Sequence, residues 1–260
     1  MARAIWKGVV KFGDVELPVR LFAAVQDRDI HFRLLHAADG VPIQQHMVNP
    51  ETGEVVPGDQ ILKAYEDDDA MVILREEELA AIEPEPARDI EVLRFVEPDA
   101  ITEQWYDRPY YLGPDGSRAD YFALARALQA QNRRGIARWT MRNKEYVGAL
   151  MPEGDYLMLI TLRNADEVIP ASALQPPAGR KPGAKELKLA QQLVAALEDD
   201  FDPNAFHDEF RERVLEFIDL KSRGQAPRVR SLRPRRARAQ PLADALTASL
   251  KAAQKERKRA

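Results

Sequence analysis

The chain has 260 residues, of which 45% are hydrophobic, enough for one large folded domain with or without smaller appendages. It contains no cysteine, which excludes disulfides, thiolate catalysis and cysteine-ligated zinc. The net charge of −4 conceals an asymmetry, because residues 221–260 hold 13 Lys and Arg against two acids (+11), whereas residues 1–220 hold 25 against 40 (−15).

The basic C-terminal segment favours a polyanionic partner such as nucleic acid, although such a segment can also serve only to keep a protein in solution. No apolar run is long enough to cross a bilayer, and the first residues lack the apolar region of a signal peptide. We therefore expect no membrane partner and a cytoplasmic location.

The first half of the chain is predicted to be rich in β-structure, because short apolar runs alternate with turn residues. Extended segments are expected over residues 4–10, 15–23, 30–35, 71–74 (as a buried strand) and 90–96, with a turn at 50–53 and a short helix over 76–82. Pro18 lacks the amide hydrogen that a β-ladder needs, so it predicts an edge strand or a break in the second segment.

A helix with one apolar face is predicted after Asp120, which is a suitable N-cap, and it should end near Gly135. The apolar residues follow the i, i+3, i+4, i+7 spacing of a helix face: Tyr121, Leu124, Ala125 and Leu128.

Residues 135–143 then alternate as in a strand, which places Arg138 and Arg142 on one face, with Lys144 just beyond. A face with these cations cannot be part of a core unless they have partners. It is either a solvated outer face with ion pairs or a wall that meets phosphates, and the spacing does not decide between them. Strands over residues 146–151 and 156–162 are expected to follow.

Prolines and glycines mark a linker from Pro176 onward. Helices are predicted over residues 184–197 and 204–223, with Gly224 as the stop, and a weaker one over 242–258. The chain beyond Gln225 is rich in Arg, Pro and Ala and is expected to be disordered in isolation. The second of these helices carries an apolar stripe along one face, formed by Phe206, Phe210, Val214 and Phe217. The stripe docks either on the rest of the chain or on a partner.

No catalytic constellation is recognisable. The four histidines form no metal-binding motif, and no nucleotide-binding glycine motif occurs. Residues 66–69 are all acidic and could hold magnesium, although adjacent acids on a loop are more often a solvated turn. We expect no metal and no cofactor.

Several motifs, taken in order, resemble bacterial Ku proteins. They are RAIWKG at residues 3–8, FG at 12–13, LPVRLF at 17–22, IHF at 30–32, LHAADG at 35–40, GEVV at 53–56, KAYE at 63–66, YDRPYYL at 106–112 and FHDEFRE at 206–212. The resemblance extends over roughly residues 3–224.

The resemblance implies an α+β fold: a Ku-type β-barrel with an inserted DNA-encircling bridge, a lateral helix, and a helical C-terminal module with a basic tail. The expected divisions are residues 1–178 for the barrel and bridge, 179–224 for the helical module and 225–260 for the tail. The bridge should arise from roughly Phe22 to Lys63.

The function that the resemblance implies is not enzymatic. A homodimeric ring would bind and bridge double-stranded DNA ends without reading sequence, and would recruit an ATP-dependent DNA ligase for non-homologous end joining in double-strand break repair. The protein would then be associated with the nucleoid.

The resemblance also implies site residues, since Arg20 and Lys63 fall at basic positions expected near DNA and Arg142 in a strand expected to line the ring. The full set of candidate DNA-binding residues is Lys7, Arg20, Arg28, Arg33, Lys63, Arg138, Arg142, Lys144, Arg228, Arg230, Arg233, Arg235, Arg236 and Arg238. The candidate partner-binding residues are Phe206, Phe210, Arg211, Glu212 and Phe217. This chain departs from many relatives by being less basic over residues 43–47 and lacking cysteines near 48–52, which implies weaker bridge contacts or greater reliance on the tail.

Two other functions remain open at the level of sequence. One is a metal-dependent nuclease built on Asp67, Asp68 and Asp69. The other is a nucleoid- or RNA-associated protein held by its basic tail.

Overall fold

The computed structural model describes residues 3–67, 70–176, 179, 181–225 and 242–257, and the chain divides after Ala173 into two compact units. The first unit contains a closed seven-stranded barrel. In order around the barrel, the strands are β1 (Trp6–Phe12), β2 (Val15–Ala23), β6 (Tyr106–Pro114), β9 (Tyr156–Leu162), β8 (Lys144–Glu153), β7 (Arg134–Met141) and β5 (Asp89–Val96). Neighbours are antiparallel except β1 and β5, whose parallel pairing closes the barrel. The predicted α+β class and barrel are confirmed.

The barrel interior is filled by alternate residues of its strands, as a period-two pattern requires. Leu17, Val19 and Leu21 of β2 are buried, and so are Ala137, Trp139 and Met141 of β7. Gly148 of β8 leaves room for the Trp139 ring, because a Cβ there would lie 2.7 Å from both that ring and the Ile160 carbonyl oxygen.

Helix α2 (Arg118–Ala130) packs its apolar face into this core, so the predicted face is confirmed. Its predicted N-cap is wrong. The cap is Ser117, whose hydroxyl accepts a hydrogen bond from the Asp120 amide at 3.3 Å. Asp120 therefore lies in the first turn, where its charge is still favourable to the helix dipole.

Pro18 lies inside the barrel wall, so the predicted edge strand is wrong, whereas the alternative, a break, is present on one side of the strand only. Pro18 pairs with Val9 of β1 in an uninterrupted register. On its other side, pairing with β6 ends at Val19 and Pro114, and the Pro18 carbonyl accepts the Asp115 amide at 3.0 Å. The Pro18 nitrogen, which carries no hydrogen, thus lies where the β2–β6 ladder ends.

Residues 24–88 form an insertion between β2 and β5, longer than the expected bridge. It contains a ribbon of β3 (Lys63–Asp67) and β4 (Ala70–Leu74), followed by α1 (Glu76–Ala81). The predicted turn is confirmed, since the Gly53 amide donates to the Asn49 carbonyl at 2.8 Å with a φ of 73°. Residues 30–35 form no strand, and β4 is exposed rather than buried, so these two predictions are wrong.

The second unit contains α3 (Ala184–Ala196), α4 (Glu209–Ser222) and α5 (Leu242–Arg257), and α3 packs against α5. Helix α4 begins later than predicted because Asp208 caps it, its side chain accepting from the Arg211 amide at 2.9 Å. Gly224, with a φ of 72°, is the predicted stop. The weaker helix is confirmed as α5, whereas the expected disorder over residues 226–241 lies outside the described residues. No helix in the described part is long and apolar enough to cross a membrane.

Candidate nucleic-acid interface

Lys7 and Arg20 form a cluster around one carboxylate, that of Asp115. The cross-strand register of β1 and β2 pairs Lys7 directly with Arg20. Asp115, just after β6, accepts from Arg20 Nε at 2.6 Å and lies 3.1 Å from Lys7 Nζ. The guanidinium of Arg20, with help from Lys7, holds the pKa of Asp115 below its ordinary value of 3.8.

The cluster carries one positive charge in excess, because two cations share one acid. Both cations are exposed, so they can reach a phosphate oxygen without leaving Asp115. Two of the predicted DNA-binding residues are therefore brought together by the fold. Sequence reasoning missed Asp115, which follows β6 and meets β2 only through barrel pairing.

Arg138 has a different environment, since two acids flank it. Its guanidinium lies 3.2 Å from Glu91 and 3.9 Å from Glu145. Glu91 is its direct cross-strand partner on β5, and β8 supplies Glu145.

Lys11 of β1 repeats this arrangement, 3.0 Å from Asp89 and 3.1 Å from Glu16. Asp89 and then Glu16 raise the pKa of Lys11 above its ordinary value. Arg138 and Lys11, with their acidic partners Glu91, Glu145, Asp89 and Glu16, form a strip that lines or borders a cavity of 490 Å³ on the barrel surface. With two cations and four acids, this strip repels phosphate, and the solvated outer face with ion pairs describes the surroundings of Arg138 better than a phosphate-facing wall does.

Arg142 does not share the strand face of Arg138, so that prediction is wrong. Strand β7 ends at Met141, which pairs with Lys144, and Arg142 and Asn143 form the two-residue turn between β7 and β8. Both turn residues have positive φ values, 54° and 60°, as a type I′ turn requires.

This hairpin tip carries two exposed cations, Arg142 and Lys144. Neither has an acidic partner within 4 Å among the described residues, and Lys144 Nζ lies 5.6 Å from the centre of the Tyr146 ring. The Asn143 amide donates to the Glu83 carboxylate at 2.7 Å and so ties the tip to the end of the insertion. The tip thus combines a defined position with free positive charge.

The other candidates within the insertion are exposed: Arg28, Arg33 and Lys63. Large apolar side chains of the insertion are exposed as well, and Phe32 and Met47 are each 69% exposed. Exposed large apolar side chains in such numbers are typical of a surface that another molecule covers.

Five candidate partner residues lie at the start of or along α4. Phe206, which precedes the helix, stacks on Phe201 with ring centres 5.5 Å apart, and Phe206 and Phe210 are each 71% exposed. Phe217 is also exposed, and the charged residues Arg211 and Glu212 occupy the first turns. The tail candidates Arg228, Arg230, Arg233, Arg235, Arg236 and Arg238 lie outside the described residues.

Among the described residues, no group of three His, Asp or Glu side chains is arranged to hold a metal ion. Asp68 and Asp69 of the acidic run lie outside the described residues.

Comparisons with known proteins agree with the barrel. A family model described as the Ku70/Ku80 beta-barrel domain matches residues 11–189. The non-homologous end joining protein Ku of Anaeromyxobacter sp. (strain K) is 39% identical over 258 residues, covering 98% of this chain and 87% of that protein. Proteins of the same name from Mycolicibacterium smegmatis and Mycobacterium tuberculosis (strain H37Rv) are each 36% identical, covering 85% of this chain and 72% and 84% of those proteins. With most of its length matched in this way, the chain belongs to the Ku family.

Proposed function

We propose that this protein binds the ends of double-stranded DNA as a homodimeric ring, without reading sequence and without catalysis, in non-homologous end joining. Its site of action would be the nucleoid. The observation that carries the proposal is the insertion of residues 24–88. It extends between two barrel strands, and its own apolar side chains are exposed.

The insertion supports a dimer because it lacks a core of its own. Across residues 25–67 and 70–74, none of the residues is buried, although the segment contains many large apolar side chains. Exposing that surface to water costs roughly 25 cal/mol per Å². A second copy of the chain is the occupant that the family relationship favours, and two such insertions would close a ring around a duplex.

The charge distribution supports binding without sequence readout. The exposed cations at the Lys7–Arg20 cluster and at the 142–144 tip are separate points on the surface. Cations of this kind meet phosphates, which position a protein on DNA but carry no sequence information. A closed ring is retained by topology, so few such contacts suffice.

For ligase recruitment we propose the helical module, because Phe206 and Phe210 are exposed beside a charged helix face. Reversing the charges of Arg211 and Glu212 should reduce stimulation of an ATP-dependent end-joining ligase while leaving DNA-end binding intact. Phe210→Ala should also reduce ligase stimulation, and Leu197→Ala, which removes another exposed apolar side chain of the module, is its matched control. If the ligase is still pulled down after deletion of everything beyond Pro203, the module is not its docking site.

The experiment that tests the proposal is a gel shift with linear and covalently closed circular duplexes of identical sequence. A ring that loads by threading should bind the linear form and leave the circle free. Equal binding of both would reject end recognition and favour the rival interpretation, adhesion through the basic tail. Magnesium-dependent degradation of the linear form would favour a nuclease, and loss of that activity in Asp67→Asn would assign it to the acidic run.

A further inference from the structure

A second cationic surface lies on the barrel, away from the acid-rich strip around Arg138. It is a groove of about 740 Å³ between α2, the outer side of β2 and β6, and the β8–β9 turn. Its lining includes Arg20, Phe22, Arg118, Phe122, Arg126 and Tyr156.

The groove holds more cations than acids. Arg118 and Arg126 are exposed, and neither has an acidic partner among the described residues. The lining contains a single acid, Asp155. Arg20 adds the outer cation of the Asp115 cluster. The unpaired guanidinium groups of Arg118 and Arg126 favour an anionic ligand and discriminate against a neutral or basic one.

Aromatic rings alternate with the cations. Arg118, Phe122 and Arg126 are spaced four residues apart on α2, so they form one row with roughly 6 Å between successive members. Phe122 is 41% exposed and rests edge-on against Tyr121, with ring centres 5.5 Å apart. Tyr156, across the groove, is 53% exposed and rests against Tyr111 at 6.4 Å. Each ring is supported on one side and open on the other.

We propose that this groove binds single-stranded nucleic acid, specifically the unpaired overhang of a broken DNA end. Open aromatic rings offer stacking to any base face, while neighbouring arginines hold the phosphates, which is the combination that binds single strands without sequence preference. A duplex keeps its bases stacked inside the double helix, so they are not available to stack on the rings. The inference rests on the proposed end-binding function. It adds that the protein distinguishes ends with an overhang from blunt ends.

The test uses a fluorescent DNA hairpin with one open end, either blunt or carrying a thymidine overhang. Wild-type protein should bind the overhang form more tightly, by about five-fold or more if one or two bases stack. Phe122→Ala and Arg126→Glu should each reduce the affinity for the overhang form toward that for the blunt form. Arg94→Glu, the same charge change at an exposed β5 position outside the groove, should preserve the preference. Because Phe122 and Arg126 are exposed, unchanged thermal unfolding should accompany the altered binding.

Three results would overturn the inference. Equal affinity of the wild type for blunt and overhang ends would do so while leaving end binding intact. An equal loss in Arg94→Glu would reduce the effect to overall charge. Displacement of a short oligothymidylate by polyglutamate at equal charge concentration would show that the groove prefers an acidic peptide. Failure of the proposed function would be recognised separately, as failure to bind the blunt form.

Discussion

Asp115 controls how much positive charge the Lys7–Arg20 cluster presents, and Asp115→Asn should therefore strengthen DNA binding. The carboxylate lies 2.6 Å from Arg20 Nε and 3.1 Å from Lys7 Nζ, and the pKa of Asp115 is lowered, so it remains charged throughout the neutral range. The amide keeps the shape of the side chain and removes its charge.

The size of the effect follows from charge counting. The cluster changes from one excess positive charge to two, which allows at most one additional phosphate to be neutralised. The log–log dependence of affinity on salt should then steepen by up to about 0.9. Between roughly 50 and 200 mM salt, the advantage of the variant over the wild type should shrink by about 3.5-fold.

The assay is fluorescence anisotropy of a labelled linear duplex across that salt series. Glu145→Gln is the matched control, because it removes the same charge beside Arg138, in the strip that holds an excess of acids. We expect its slope to equal that of the wild type. An unchanged slope in Asp115→Asn would show that the cluster does not touch DNA. A steeper slope in Glu145→Gln would show that the Arg138 strip does.

Four further predictions concern stability, charge and pH. Tyr121→Phe leaves the buried Leu112 carbonyl and Leu157 amide without their hydroxyl partner and should cost about 2–5 kcal/mol in the free energy of unfolding, measured by denaturant titration; Tyr156→Phe, at an exposed ring, should be neutral. Changing the six arginines of residues 226–241 to Gln should flatten the salt slope by about 0.9 for each phosphate that the tail no longer neutralises, whereas an unchanged slope would exclude the tail from DNA. Arg142→Glu should weaken binding to duplexes of every sequence by a similar factor, and sequence-dependent losses would indicate base contacts. Because the pKa of Asp115 is lowered, its stabilisation is present above 3.8 and lost on acidification, so the thermal stability of Asp115→Asn should approach that of the wild type as the pH falls below 3.8.

Local patterns allowed much of the barrel unit to be predicted. The i, i+3, i+4, i+7 spacing identified the buried face of α2, and short apolar runs between turn residues identified β1, β2, β5, β8 and β9. These signals are local because burial repeats with the geometry of the element itself. The N-cap was missed because Ser117 and Asp120 are both good capping residues, and only the backbone decides which one accepts the bond.

The candidate site could be predicted only in part, because long-range pairing decides which cations are free. Arg138 was recognisable as a strand residue, but its neutralisation by Glu91 depends on the β5–β7 register. The turn at Arg142 and Asn143 lacks the glycine that usually marks a type I′ turn, so the sequence pattern predicts that the strand continues. Strand β4 was predicted to be buried and is exposed, because an apolar strand is buried only where another part of the structure covers it.

The central claim, that the protein encircles DNA as a closed ring, is tested most directly by its retention on a linear fragment. The protein is loaded, both ends are then blocked with bulky protein caps, and the complex is challenged with high salt. A closed ring should remain on the blocked fragment and leave the unblocked one, since salt weakens phosphate contacts but not topology. Rapid loss from the doubly blocked fragment would contradict the account and indicate an open clamp or adhesion through the tail.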